Sequence, residues 1–499
     1  MNLSKKQEYL IIAGLLVLIF PFFALLLYVH PQGDDFFFAA KVNEMGVLPF
    51  VKDMYLHWSG RYASMFIGAF DPVIYKSLHL LRFELLLLLI FNIFSVFLFI
   101  KSVLKNTISN RKIVLITLVI YTILLNSIPD IFEFMYWFPS VTAYQLGLSL
   151  LLIFIANIFF KKQKRISPTF YLTINAIIVL IAIGLLELFI IPFILTLLLN
   201  IYINLRSKQL IKYDIIILIL SILSSLILLA GPGNYVRLQV ANSSGFIVGL
   251  YLAAKSMIYL MGYLFQNPTF TLGSILFIAI SNKYIHNTQL FSFEIPRINP
   301  IIILIANLGI PYLILLPSTI ALISLPAGRI FNIAAFVFTF LWLFSLLVFQ
   351  KHYYGKFTFE MSSFYKSSLA LLMLMFVFSG VYIINPYEFA QKKNGSVLIS
   401  GNILKAYNTL LFEAKPFDED MIKRYKSFSD AKKNNKKTLI VKPLEHHPEM
   451  LIFVDIADIQ SPGTWIFNWE AKYYGMDSIC IEKDNVIIKD KIKQEIQQK

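Results

Sequence analysis

Leu10-Ile11-Ile12-Ala13-Gly14-Leu15-Leu16-Val17-Leu18-Ile19-Phe20-Pro21-Phe22-Phe23-Ala24-Leu25-Leu26-Leu27-Tyr28-Val29 carries no charged side chain, and His30-Pro31-Gln32-Gly33-Asp34-Asp35-Phe36 follows at once. About 20 apolar residues at about 1.5 Å rise each span the ~30 Å of a bilayer's hydrocarbon. Lys5 and Lys6 precede the run as they would a signal peptide, but it is as long as a full span and no small-residue cleavage pattern follows. It therefore reads as a retained helix. Two adjacent carboxylates then stand at the membrane edge.

The rest of the chain repeats the pattern. Of 499 residues, 58% are apolar, and no alternating apolar and polar strands occur in the first 385 residues, which argues against a membrane barrel. The fold class is an all-α polytopic membrane domain over 1–385, with about 11 transmembrane helices, followed by a soluble α+β domain over 386–499. Spans fall at roughly 9–29, 83–101, 113–129, 144–160, 170–186, 188–205, 214–230, 268–282, 300–324, 331–350 and 363–384. A further apolar segment, 246–265, holds Lys255 at its middle. An ammonium at mid-bilayer costs roughly 2.5–3.5 kcal/mol on insertion scales, so this segment reads as interfacial or re-entrant. Eleven spans place the C-terminal domain outside the cell; twelve would place it in the cytoplasm.

Clusters of Lys and Arg set the orientation. Lys101, Lys105, Arg111 and Lys112, then Lys161, Lys162, Lys164 and Arg165, then Arg206, Lys208 and Lys212 mark every second connection, which the positive-inside rule makes cytoplasmic. The net charge of +15 is thereby accounted for by topology and anionic membrane lipids, and no nucleic-acid partner is called for. A single cysteine, Cys480, excludes an intrachain disulfide. The outer connections hold Asp34, Asp35, Arg61, Asp130, Glu133, Glu187 and Arg237. In the first of them, a long outer loop over 30–80, the stretch Val47 to Phe70 has apolar residues every three or four positions. That spacing predicts one amphipathic helix lying in the interface. In the tail, 417–436 predicts a polar helix, and Thr438 to Val441, Leu451 to Val454 and Ile479 to Ile488 predict strands.

Asp34 and Asp35 are the candidate catalytic residues, because like charges side by side raise one pKa and suit proton transfer; the same pair also caps a helix well. Arg61 offers a guanidinium for phosphate and Trp58 an aromatic face for a sugar or prenyl chain, although Trp is also an ordinary interface anchor. Glu187 interrupts an apolar stretch, where an ionisable residue marks either a site or a tight hairpin. Gly231-Pro232-Gly233-Asn234-Tyr235-Val236-Arg237 presents Asn234 and Arg237 after a rigid turn. Tyr144, in Trp137 to Tyr144, and Arg329, in Pro326-Ala327-Gly328-Arg329, extend the substrate-binding set. His446-His447 lacks an obvious third metal ligand, and no nucleotide-binding loop or zinc-protease motif occurs.

Gly33-Asp34-Asp35-Phe36, Trp58-Ser59-Gly60-Arg61, Gly184 with Glu187, and Gly231-Pro232-Gly233-Asn234 with Arg237 together resemble a family of bacterial polytopic membrane proteins. That family is in turn similar to the GT-C superfamily of lipid-linked-sugar glycosyltransferases. Trp465 to Ile479, with Asn468 and Ala471-Lys472-Tyr473-Tyr474-Gly475, resembles that group's terminal domain. The resemblance implies a GT-C-like fold in a bacterial plasma membrane, with an extracytoplasmic C-terminal domain. It implies transfer of a sugar from a polyprenyl-phosphate donor to a cell-envelope glycan or lipid acceptor, with Asp34 or Asp35 as base and Arg237 and Arg329 on the donor phosphate. Protein mannosyltransferases carry Asp-Glu where this chain has Asp-Asp, which leaves open a divalent metal at Asp34/Asp35. Two other readings stand beside it. A transporter or flippase of lipid-linked sugars predicts inverted repeats and broken helices, neither evident in the sequence. A non-catalytic scaffold predicts that substitutions at the two aspartates are silent.

Overall fold

A computed structural model of the chain describes residues 4–353, apart from 107, 209, 241–244, 286–290, 293, 294 and 323. Beyond these it describes 367, 370, 374, 380–383, 397–453, 455 and 465–481. The first helix, α1 (Lys5–Leu25), opens on a capping box in which the Ser4 hydroxyl accepts from Gln7 N and the Gln7 side chain accepts from Ser4 N. Three short helices follow: α2 (Asp34–Met45), α3 (Val47–His57) and α4 (Tyr62–Gly68).

The single interfacial helix expected from Val47 to Phe70 is thus two helices, broken at Trp58-Ser59-Gly60. Phe50 and Met54 of α3 and Met65 of α4 pack with Phe38 and Val42 of α2 in a small core of their own. Of the apolar series that predicts the interfacial face, Met65 and Val51 join that core, while Leu48, Trp58 and Phe66 stay exposed.

The long helices are α5 (Leu78–Val103), α6 (Asn110–Ser127), α7 (Phe138–Ser140) running through a π turn (Val141–Gln145) into α8 (Leu146–Lys162), α9 (Pro168–Leu185) and α10 (Ile190–Arg206). Then come α11 (Lys212–Leu229), the short α12 (Pro232–Val240), α13 (Phe246–Gln266), α14 (Pro268–Ile285), α15 (Pro300–Leu322) and α16 (Gly328–His352). Ten helices among the described residues are long and apolar enough to cross a membrane, and the chain is a multi-pass α-helical membrane protein. Leu195, Leu198, Ile219, Ile222 and Leu226 lie exposed on α10 and α11, as surfaces that meet lipid must. Inside the bundle polar groups pair with one another. Asn92 donates to Ser149 and accepts from Tyr121, and Asn157 donates to Asn175.

The segment 246–265, expected to be interfacial, is helix α13, itself one of those ten, and it runs end to end with α14, which covers 268–282. Helix α13 starts beside Ile320, and at its other end Phe265 meets Phe338 and Trp342, halfway along α16. Helix α14 then continues beside α16, where Ser281 bonds Gln350. The break falls at Pro268, which has no N–H to continue a helix, and Asn267 there donates to Asn126 O. Lys255 stands over the Tyr259 ring at 5.7 Å. Most of the last expected span, 363–384, lies outside the described residues, but Gly380–Ile383 (β1) is a strand antiparallel to Val397–Ser400 (β2).

The tail contributes α17 (Asn402–Asn408), α18 (Ala414–Lys433) and α19 (Trp465–Tyr473), with β3 (Thr438–Val441) parallel to β4 (Ser478–Ile481). The strand expected at 451–454 is turn, not strand: Leu451 N and Ile452 N both donate to Pro448 O, and its position 454 lies outside the described residues. Of the strand expected over 479–488, β4 accounts for the start and the rest lies outside them. The tail packs on the Asp34 end of the bundle. Asp418 accepts from Arg82 at 2.8 Å and pairs with His30 at 3.0 Å, while Asn402 donates to Leu125 O and Ile128 O. The Lys and Arg clusters gather at the other end, where Lys161 pairs with Asp214.

Candidate functional site

Two glycine-bearing motifs far apart in sequence build one wall of the site. A Cβ on Gly60 would stand 2.0 Å from Leu228 O, and one on Gly233 would stand 2.4 Å from Ser59 N. Only glycine permits that approach of α12 to the break between α3 and α4. Asn234 fastens it, accepting from Gly60 N at 2.9 Å and donating to Leu228 O at 2.7 Å.

This packing places Arg61 against Glu187 of the hairpin between α9 and α10, with Nε to Oε2 at 2.9 Å and a terminal nitrogen to Oε1 at 2.5 Å. Burial works to lower the Arg61 pKa, but the Glu187 carboxylate outweighs it and holds the guanidinium firmly charged. On the opposite wall Arg329, at the start of α16, donates through its backbone N and side chain to Glu133, at 2.5 and 2.7 Å. Its guanidinium lies over the rings of Trp137 (5.1 Å) and Tyr144 (5.7 Å).

Arg61, Tyr144, Glu187, Asn234, Arg237 and Arg329 line one cavity of about 360 Å³, closed on another side by Pro317 and Ser318 of α15. Six of the seven expected substrate-binding residues therefore converge. Trp58, the seventh, is about half exposed outside the cavity, with Arg237 5.8 Å above its ring. Arg61 and Arg329 each have a carboxylate partner, whereas Arg237 has no ion pair among the described residues. Burial, and then Arg61, push its pKa down, so it gains most from an incoming anion.

The two aspartates separate. Asp34 opens α2 within electrostatic reach of Arg329 and Arg237; burial raises its carboxyl above the ordinary range while those two guanidiniums pull it back. Asp35 is buried, accepts from Gln32 N at 2.6 Å, and faces Asp71. One oxygen of Asp35 and one of Asp71 have no hydrogen-bond donor among the described residues, and the two carboxyls lie within reach of one shared proton. Burial lifts Asp35 to about 7 and Asp71 well above its usual value. A divalent ion held between Asp34 and Asp35 would require one of them to leave these partners.

Glu133 and Trp137 belong to the site and are absent from the sequence-based set. Glu133 stands among the outer acids, but its role follows from a contact 196 positions away, which no local pattern encodes. Asp130, whose carboxyl burial and then Glu133 raise to about 7, accepts from Glu133 N. In the tail, Asp420, Glu445 and His446 bring three potential metal-ligand atoms within 4.8 Å of one another, though Asp420 is already bonded to His446 and Lys423.

No family model matches the chain, and no curated protein or solved structure matches it.

Proposed function

We propose that the chain is an integral-membrane glycosyltransferase that moves a sugar from a polyprenyl-phosphate donor to a cell-envelope glycan or lipid acceptor on the outer face of a bacterial membrane. The observation that carries this reading is the cavity itself, on one side of a membrane bundle: a half-buried Arg237 with no ion pair among the described residues, within electrostatic reach of a carboxyl of raised pKa, Asp34, which stands outside the cavity's lining. A volume of about 360 Å³ sits at the low end for ligand pockets, in keeping with one sugar phosphate rather than a long glycan.

In the reaction the acceptor oxygen attacks the sugar's anomeric carbon and its proton passes to Asp34. The bond from that carbon to the phosphate oxygen breaks, and the electron pair leaves on the polyprenyl phosphate. Arg237 and Arg329 stabilise the growing phosphate charge. Arg61 and Glu187 compensate one another and hold the wall in place. The exposed apolar residues Leu229, Tyr235 and Val236 beside the cavity suit the prenyl chain.

One observation favours the transporter or flippase reading: the run of helix from α13 into α14 is broken, with buried Asn267 at the break. Reconstitution with labelled donor and no ion gradient separates the two. Labelled acceptor product that falls at least ten-fold in Arg237→Ala supports the transferase. Movement of intact donor across the bilayer without product overturns it.

A further inference from the structure

A second cavity, of about 1140 Å³, lies at the opposite end of the bundle, among α5, α8, α10 and α16. Its walls are apolar, with Leu148, Leu152 and Phe340 deep inside, and its mouth is polar, with Lys162, Asn204 and Ser292. From Leu148 to Lys162 is 14 helical residues, about 21 Å along α8, so the space is a slot the length of an acyl chain. It is walled at its mouth by the segment that carries Ser292, pinned where Ser292 N donates to Val103 O and Phe291 pairs with Leu104.

The charges at the mouth are unequal. Lys161 is committed to Asp214, at 3.1 Å, whereas Lys162 has no ion pair among the described residues. Tyr202 lines the mouth with Arg206 stacked on it at 5.0 Å, and Lys164 and Arg165 follow in sequence. A long apolar slot with a free ammonium at its rim complements an anionic lipid head group with one of its hydrocarbon chains inserted. We propose that this slot is a specific site for an anionic phospholipid, one of its two acyl chains beside Leu148 and Phe340 and its phosphate at Lys162. The site lies at the other end of the molecule from Asp34 and does not depend on the activity proposed there.

The test uses full-length protein in nanodiscs of equal phosphatidylglycerol and phosphatidylcholine, with retained lipid counted by native mass spectrometry. Wild type is expected to retain mainly phosphatidylglycerol. Lys162→Ala is expected to cut that preference about five-fold, the worth of one lysine beside an anionic head group. Lys112→Ala, an exposed basic residue of the same end outside the slot, leaves the preference unchanged, and Leu152→Trp, which fills the slot, lowers the number of lipids retained. Equal retention of both lipids by wild type, or an equal loss in Lys112→Ala, overturns the proposal in favour of diffuse surface charge. Retention of a polyprenyl phosphate carried through purification, in place of the added phospholipid, overturns it as well. Both lysines are exposed, so their comparison decides the matter even if the tryptophan variant does not fold.

Discussion

Asp34 owes its basicity to burial, moderated by Arg329 and Arg237, and a general base works only once it has lost its proton. The sugar-transfer rate should therefore fall on the acid side with an apparent pKa above the ~3.9 of an ordinary aspartate. A pH–rate profile checks this, and Arg329→Gln should move that limb to higher pH because one cation that lowers the Asp34 pKa is gone. Asp35 and Asp71 make a different prediction. Carboxyls raised to about 7 and above bind more protons in the folded chain than unfolded at ~3.9, so their contribution favours folding at low pH and weakens as pH rises through about 7. Asp71→Asn should stabilise the protein at pH 8 by on the order of 2 kcal/mol and have little effect below the unfolded pKa, at about pH 3.5, read as melting temperature in detergent. The sequence marks Asp34 and Asp35 as a pair and does not show that they part. One residue of helix is a turn of about 100°, and the partner that Asp35 turns towards, Asp71, lies 36 positions away.

At the scale of elements, the wall of the cavity depends on backbone approach rather than on side-chain fit. Gly233→Ala would push a Cβ into the main chain at Trp58 and Ser59 and so drive α12 off the α3–α4 break. The expected cost is about 1–3 kcal/mol of stability, with transfer falling more than thermal stability because Arg237 rides on α12. Asn234→Ala, which leaves Gly60 N without its acceptor, should show the same pattern more mildly, and Gly262→Ala, with no backbone near its would-be Cβ, should show neither. The two motifs stand out in the sequence as glycine-rich turns, but only their contact explains why both need glycine. The apolar helices were legible for a firm physical reason, since a span must be long and apolar whatever it packs against. The fold of the outer loop was not, because the break at Trp58-Ser59-Gly60 is fixed by close contact with Leu228 and Gly233, far along the chain. The break between α13 and α14 was half legible: Asn267-Pro268 signals it, yet only the stacking on Phe338 and Trp342 places it halfway along α16.

Across the whole molecule, the described part of the tail is tied to the site end by Asp418, which joins His30 and Arg82, and by Gln32, which donates to Leu451 O and accepts from Phe453 N. Asp418→Ala should cost about 1–3 kcal/mol and quicken hydrogen exchange across α17 and α18 while leaving α8 and α9 protected. Gln32 links that docking to Asp35, whose carboxylate takes the Gln32 N–H. The measurement that bears most directly on the proposed chemistry compares Asp34→Asn with Asp35→Asn in liposomes supplied with labelled polyprenyl-phosphate sugar. Donor binding kept in both, with transfer lost by at least 100-fold in Asp34→Asn and largely retained in Asp35→Asn, is the expected result. Full transfer by Asp34→Asn would contradict it.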